Sequence, residues 1–260
     1  MTMTIYCPQS RRRFLFVLAI AFALVGLNEA NAQFTWEKEP ENLTVLSKEI
    51  EPGQLRATMI GFSQGLGVRC EHCHDDSKGR RLDQIDFAAD VKEAKETART
   101  MLKMVEAINK EYLTLVNTEG PVLTVTCATC HRANARPVTL EQELEAALEE
   151  GGGSAAVDRY HQLKARYANG YTFDFREGTL NRFGYALLGQ EMLDEAIAIF
   201  TLNTEEHPES ANTFDSLAEA YMTKGEKEVA AALYQRSLAL DPSNRNAVEM
   251  LRKLAEWDTN

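Results

Sequence analysis

Two pentapeptides constrain this chain more than anything else in its 260 residues: CEHCH at 70–74 and CATCH at 127–131. Each is C-x-x-C followed directly by histidine, and three chemistries use paired cysteines at this spacing. A four-thiolate zinc site would draw on both pairs. Yet 53 residues separate Cys73 from Cys127, and zinc gives no reason for a histidine after each pair. A redox dithiol normally opens a helix beside a strand. No strand–helix–strand pattern precedes either pair, and the trailing histidine would have no role. Haem explains every fixed position. The two thiols add across the porphyrin vinyl groups as thioethers, and the next residue then lies close enough to the ring for its imidazole to bind iron. The expectation is two covalently bound c-type haems. Cys70, Cys73, Cys127 and Cys130 are the thioether positions, and His74 and His131 the proximal ligands.

The fifth cysteine, Cys7, lies in a segment that reads as an export signal. Arg11, Arg12 and Arg13 form a basic start, Phe14 to Leu27 an apolar run, and Ala30-Asn31-Ala32 a small-x-small cleavage pattern. The run is 14 residues long, short of the roughly 20 that a spanning helix needs. A signal peptide over 1–32, cleaved after Ala32, is expected, with a periplasmic mature protein. Membrane association would then come only through a partner or an uncleaved signal. The arginines also resemble a twin-arginine signal, but that route carries folded proteins, and c-type haem is attached after export of an unfolded chain. The general secretory route is the reading taken. Removing 1–32 takes the net charge from −11 to −13, which argues against a nucleic-acid-binding role, since that needs a basic surface.

Electron-transfer haems usually hold iron from both sides, with Met or a second His opposite the proximal histidine. Before the first motif, Pro52 suits a helix start, and Leu55, Met59 and Phe62 follow on one helical face. Gly65 and Gly67 then end the helix, so Met59 becomes a candidate sixth ligand facing His74. Before the second motif a helix is expected over about 88–115, with Ala94, Ala98, Met101, Val105 and Ile108 on one face. Met101 and Met104 lie three apart on it, and spacing alone does not choose between them.

The stretches GLGVRCEHCHDD, ARTMLKMVEAINKEYL and VTCATCHRANARP resemble the cytochrome c subunit of photosynthetic reaction centres, over residues of about 40–138. The resemblance implies that each haem is served by a Met-bearing helix, a turn and then C-x-x-C-H. It places Met59 eleven residues before Cys70 as the family methionine, favours Met101 over Met104, and matches Asn109 to a family asparagine. The family subunit has four motifs and this chain has two, so the likeness is to one two-haem half. A histidine that serves as a sixth ligand in the family would fall near Leu115, where this chain has none.

After Pro137 the composition changes. Residues 139–178 read as a helical linker, with GGGS at 151–154 as a helix stop and flexible joint. Pro208 and Pro242 are 34 apart, the tetratricopeptide period. Phe214, Leu217, Ala218, Tyr221, Gly225, Ala230 and Tyr234 fall on the consensus positions before Pro242. An upstream copy fits through Leu180, Phe183, Gly184, Leu187, Ala196 and Phe200, with Gly189 two residues early. A final helix over 244–257 would cap the stack through Val248, Leu251 and Leu254, and residues 155–178 are expected to help complete the core.

The sequence thus reads as an all-α protein in four parts: signal peptide 1–32, di-haem cytochrome c domain 33–138, helical linker 139–178, and tetratricopeptide repeats with a capping helix 179–257. The second domain is an α-solenoid. The expected role is electron transfer between redox protein partners, not enzymatic, with partner docking on the repeats. The alternatives are a di-haem peroxidase, or a haem-bearing adaptor whose main role is assembly. His72, His161 and His207 read as ordinary surface or packing histidines.

Overall fold

The structure, a computed structural model, describes residues 40–116 and 120–257. The signal peptide and its cleavage site lie outside these residues. The described residues form nine α-helices: α1 (Pro52–Leu66), α2 (Glu93–Ala107), α3 (Cys127–His131), α4 (Leu140–Tyr167), α5 (Glu177–Gly189), α6 (Leu193–Glu206), α7 (Ala211–Lys224), α8 (Lys227–Leu240) and α9 (Arg245–Trp257). Among them there is no strand, only an isolated bridge between Asp75 and Asp86. None of these helices is long and apolar enough to cross a membrane.

From α4 onward the chain is a stack of helical hairpins. Their 34-residue period is written into specific bonds. In α6, Asn203 Nδ2 donates to the carbonyl of Glu177, the first residue of α5, at 3.3 Å. Ser237 of α8, 34 positions on, donates to the carbonyl of Ala211, the first residue of α7, at 2.8 Å. Gly184 of α5 lies so close to α6 that an added methyl would sit 2.5 Å from the Phe200 ring. Ala218 and Tyr234 hold the same two positions in the next repeat, both fully buried. Gly225 ends α7 in the left-handed conformation, with φ 87°. Its counterpart in the first repeat is not the early Gly189, which is helical, but Glu191, with φ 63°. The glycine is early, but the turn itself stays in register.

Residues 139–178 do more than link. Arg159 Nε donates to Glu143 at 3.0 Å. Sixteen residues of straight helix would hold these side chains about 24 Å apart. The contact exists because α4 breaks at Gly151 (φ −158°) and Gly152 (φ 69°) and folds back. The GGGS stretch is therefore a tight reversal, packed by Gly153 against Ala198, rather than a flexible joint. Leu140, Leu144, Ala156, Tyr160 and Leu163 join the same core as α5, α6 and α7. Phe173 and Phe175 extend it edge-on, at 5.3 Å to Tyr167 and 5.6 Å to Tyr160. This supplies the help expected from 155–178. At the other end α9 caps the stack through Ala247 and Leu254, while Val248, expected to face inward, is exposed.

Residues 40–139 are built differently. Of those described, only Leu55, Gly65 and Ile85 are buried. The helix expected over 88–115 begins at Glu93 and passes through a π-helical turn (Ile108–Tyr112) into a 3-10 turn (Leu113–Leu115). Residues 86–92 stay out of it because their carbonyls and carboxylates bond elsewhere, as described below. Thr172 Oγ1 donates to the Arg132 carbonyl at 2.6 Å, and Val138 packs on the hairpin core, so this segment is tied to the stack.

Two substitutions test the repeat register. Glu191→Gly relieves a side chain held at positive φ, which should add about 1 kcal/mol of stability and raise Tm by about 2–4 °C. Gly184→Ala forces a methyl into the Phe200 ring and should cost about 1–3 kcal/mol. Thermal melts followed by circular dichroism read both.

Candidate haem sites

The first motif occupies a single 3-10 turn, Cys70–His72. Cys73 N–H donates to Cys70 O at 3.2 Å and His74 N–H to the same carbonyl at 3.0 Å. One helical turn sets Cys70 and Cys73 three apart on one side, which two adjacent thioether bonds require. The His74 ring places Nδ1 3.2 Å from the carbonyl of Phe87. A carbonyl only accepts, so Nδ1 carries the proton and Nε2 keeps its lone pair, the arrangement of a metal-ligating histidine. The Phe87 ring meets the imidazole edge-on at 5.0 Å. Burial, and then the nearby Lys95 cation, hold the His74 pKa below its ordinary value, which favours the neutral ring. Burial also pushes the Cys73 thiol up.

The loop that presents the Phe87 carbonyl is tied down from several sides. Asp86 Oδ1 accepts the N–H groups of Ala88 and Ala89, each at 3.0 Å, and these bonds lower its pKa. Lys95 Nζ donates to the carbonyls of Phe87, Ala88 and Ala89 at 3.1, 3.0 and 2.8 Å. Asn42 Nδ2 donates to Ala88 O at 2.6 Å. Asp90 pairs with both Lys95 and Arg99, and Arg99, Asn42 and Lys95 together hold its carboxyl far below the usual range. Lys92 closes the cluster by donating to the Glu71 carbonyl and to Asp76.

The second motif is itself α3, with Thr126 and Thr129 forming a capping box at its start. Cys127 and Cys130 share one face of this helix, and burial raises the Cys127 thiol pKa. Arg132 (φ 48°) and Ala133 (φ 63°) are both left-handed and turn the chain back on itself. The turn brings the Asn134 carbonyl to 3.0 Å from His131 Nδ1. His131 thus has the same tautomer as His74, by a local route instead of a distant loop.

The candidate sixth ligands sit on the helices that precede each motif. Met59 is half-buried on α1, on the face that carries Leu55, Phe62 and Leu66. Met101 and Met104 are both exposed on α2, so burial does not separate them. Asn109, in the π turn, donates through Nδ2 to Val125 O and accepts from Val125 N–H, both at 2.8 Å. This clamp fixes the end of the methionine helix two residues before Cys127. His72 is exposed as expected, His161 lies beside Tyr160 and Glu206, and His207 closes α6.

The two sites also share backbone. Ala133 N–H donates to Gly65 O at 2.9 Å. A Cβ on Gly65 would stand 3.0 Å from Ala128 N, and one on Gly67 (φ 66°) only 2.0 Å from Ala133 O. Hence the turn that ends α1 and leads into the first motif is seated on the second motif. Of the two glycines expected to end α1, only Gly67 caps it, while Gly65 stays helical and serves the close approach instead.

The donor set fits c-type haem: two pairs of half-buried or exposed thiols, each followed by an imidazole with a free Nε2. The apolar side chains fit as well. Ile60, Leu82, Val91, Met101, Met104, Leu115, Val122 and Leu123 are exposed in a segment with almost no core of its own. Large flat apolar groups bound beside them would cover such surface. No group of three or more metal-ligating side chains that could hold an ion occurs among the described residues.

Comparison with known proteins agrees. Residues 81–172 match the family model of the photosynthetic reaction centre cytochrome C subunit. The match takes in the second motif and runs past Pro137 through α4 to Thr172, the residue bonded to Arg132. Cytochrome c-554 of Chloroflexus aurantiacus is 39% identical over 80 residues, which make up 30% of this chain and 16% of that protein. Among solved structures, the first TPR of Spaghetti (RPAP3) bound to an HSP90 peptide is 17% identical with a TM-score of 0.33. It covers 46% of this chain and 91% of its own. The Arabidopsis OM64 TPR domain is 16% identical with a TM-score of 0.32, over 45% and 92%. Residues 81–172 are thus similar to the photosynthetic reaction centre cytochrome c subunit family, and they run into the helical hairpins that fill the rest of the chain.

Proposed function

We propose that this protein is an exported di-haem c-type cytochrome that passes electrons between protein partners. The observation that carries the reading is the pair of matched histidines. Each donates Nδ1–H to a backbone carbonyl, Phe87 O or Asn134 O, and keeps Nε2 for iron. Bound haem supplies a one-electron Fe(III)/Fe(II) couple. The chain's part is to anchor it through Cys70 and Cys73, or Cys127 and Cys130, and to hold the imidazoles rigid. Met59 with His74, and Met101 with His131 on a helix that Asn109 fixes, would hold the two irons. Iron held by histidine and methionine in this way would offer a substrate no coordination site, which favours electron transfer over peroxidase chemistry.

The rest of the reading follows from placement. Attachment after export puts the mature protein in the periplasm. The hairpins from α4 to α9 offer a docking surface for a partner, and their ties to the cytochrome segment through Thr172 and Val138 keep that partner beside the haems.

Expression with haem-maturation machinery tests this. The pyridine haemochrome should give two haems per chain, and the oxidised protein the weak far-red band of sulfur-ligated Fe(III). Met59→Ala and Met101→Ala should each remove part of that band, and the double variant all of it. Loss with Met104→Ala in place of Met101→Ala would move the ligand by one turn. A high-spin haem that binds peroxide in the wild type would favour the di-haem peroxidase.

The shared backbone makes a second expectation. Gly67→Ala drives a Cβ into the Ala133 carbonyl at an already left-handed position, so haem content should fall at both motifs. Gly61→Ala, with open space around it, should keep two haems per chain.

A further inference from the structure

The two histidines differ in what else holds their carbonyl partner. Phe87 O accepts from His74 Nδ1 at 3.2 Å and also from Lys95 Nζ at 3.1 Å. Asn134 O accepts from His131 Nδ1 at 3.0 Å, and among the described residues no lysine or arginine bonds to it. We propose that Lys95 sets the two haems apart in reduction potential, by drawing on the carbonyl that His74 bonds and so making His74 the poorer donor to iron. This rests on the di-haem reading above.

The physical chain is short. An imidazole that donates Nδ1–H to a carbonyl gains electron density at Nε2 and becomes a more basic ligand. A cation at the same oxygen withdraws that density, so the carbonyl polarises Nδ1–H less. A weaker donor stabilises Fe(III) less, and the potential rises. Lys95's charge acts in the same direction, since a nearby cation opposes the added positive charge of oxidised iron. Its side chain is only 12% exposed, whereas Asp90, its counter-ion, is 46% exposed and faces solvent. Solvent therefore screens the carboxylate more than the ammonium. Lys95 is not one of the residues that would hold the haem. It is a positioning residue for the Phe87 loop that also tunes the ligand, and it makes the haem at Cys70–His74 the higher-potential one.

Spectroelectrochemical titration of the purified di-haem protein tests this, after the pyridine haemochrome has established two haems. Absence of haem would sink the di-haem reading itself. With two haems present, the wild type should titrate in two separate waves. Lys95→Gln should move the upper wave down by roughly tenfold in its one-electron equilibrium, about 59 mV, and leave the lower wave in place. Lys95→Arg should restore the upper wave. Lys103→Gln, which removes one exposed charge elsewhere on α2, should move neither. Coincident waves in the wild type would overturn the proposal without any variant. So would a Lys95→Gln protein in which neither wave moves, both move together, or only the lower one falls.

Discussion

A histidine side chain donating Nδ1–H to a backbone carbonyl is the contact on which the rest of the cytochrome segment depends. It fixes which ring nitrogen carries the proton and how the ring is turned, and both motifs have it. What the chain spends to make it differs. At the second motif two consecutive non-glycine residues, Arg132 and Ala133, adopt positive φ so that Asn134 O falls under His131. Each such residue costs of order 1 kcal/mol. The Ala133 N–H bond to Gly65 O and the Thr172 bond to Arg132 O hold the strained turn in place. At the first motif the carbonyl comes from a loop thirteen residues away, and a lysine, two aspartates and an asparagine are needed to hold it.

This gives the two ends of the protein different kinds of stability. From Leu140 onward, hairpins bury side chains against one another in the ordinary way, with Tyr160, Phe200 and Tyr234 fully enclosed. Before it, polar clamps position short helices that bury almost nothing. Burial of haem against Ile60, Leu82, Val91 and their neighbours would supply the apolar contacts the helices do not make among themselves. The interlock of α1 with the second motif means that the two sites are assembled together.

Much of this was legible in the sequence, because the residues that matter there are set by local geometry. C-x-x-C-H, the Gly67 that ends α1 and the 34-residue spacing each follow from one turn or one helix pair. Other features were not legible because they join positions that no local pattern links. Lys95 to Phe87 and Asn109 to Val125 are such pairs. The late start of α2 follows from the first of them, since carbonyls that bond Lys95 and His74 are not free to enter a helix. Gly151 and Gly152 read equally as a flexible joint and as a reversal, because glycine allows both. The Arg159–Glu143 contact, far apart in sequence, shows that they make a reversal. Glu191 hid the register of the first repeat because a residue other than glycine stands in the left-handed position.

The central claim is that each pentapeptide anchors a haem through both of its cysteines. Intact-mass spectrometry of the exported protein, denatured and stripped of non-covalent ligands, tests it most directly. The account predicts the mass of residues 33–260 plus two haems, with no free thiol left to alkylate. A mass without haem, or with one haem and an alkylatable cysteine pair, would contradict it.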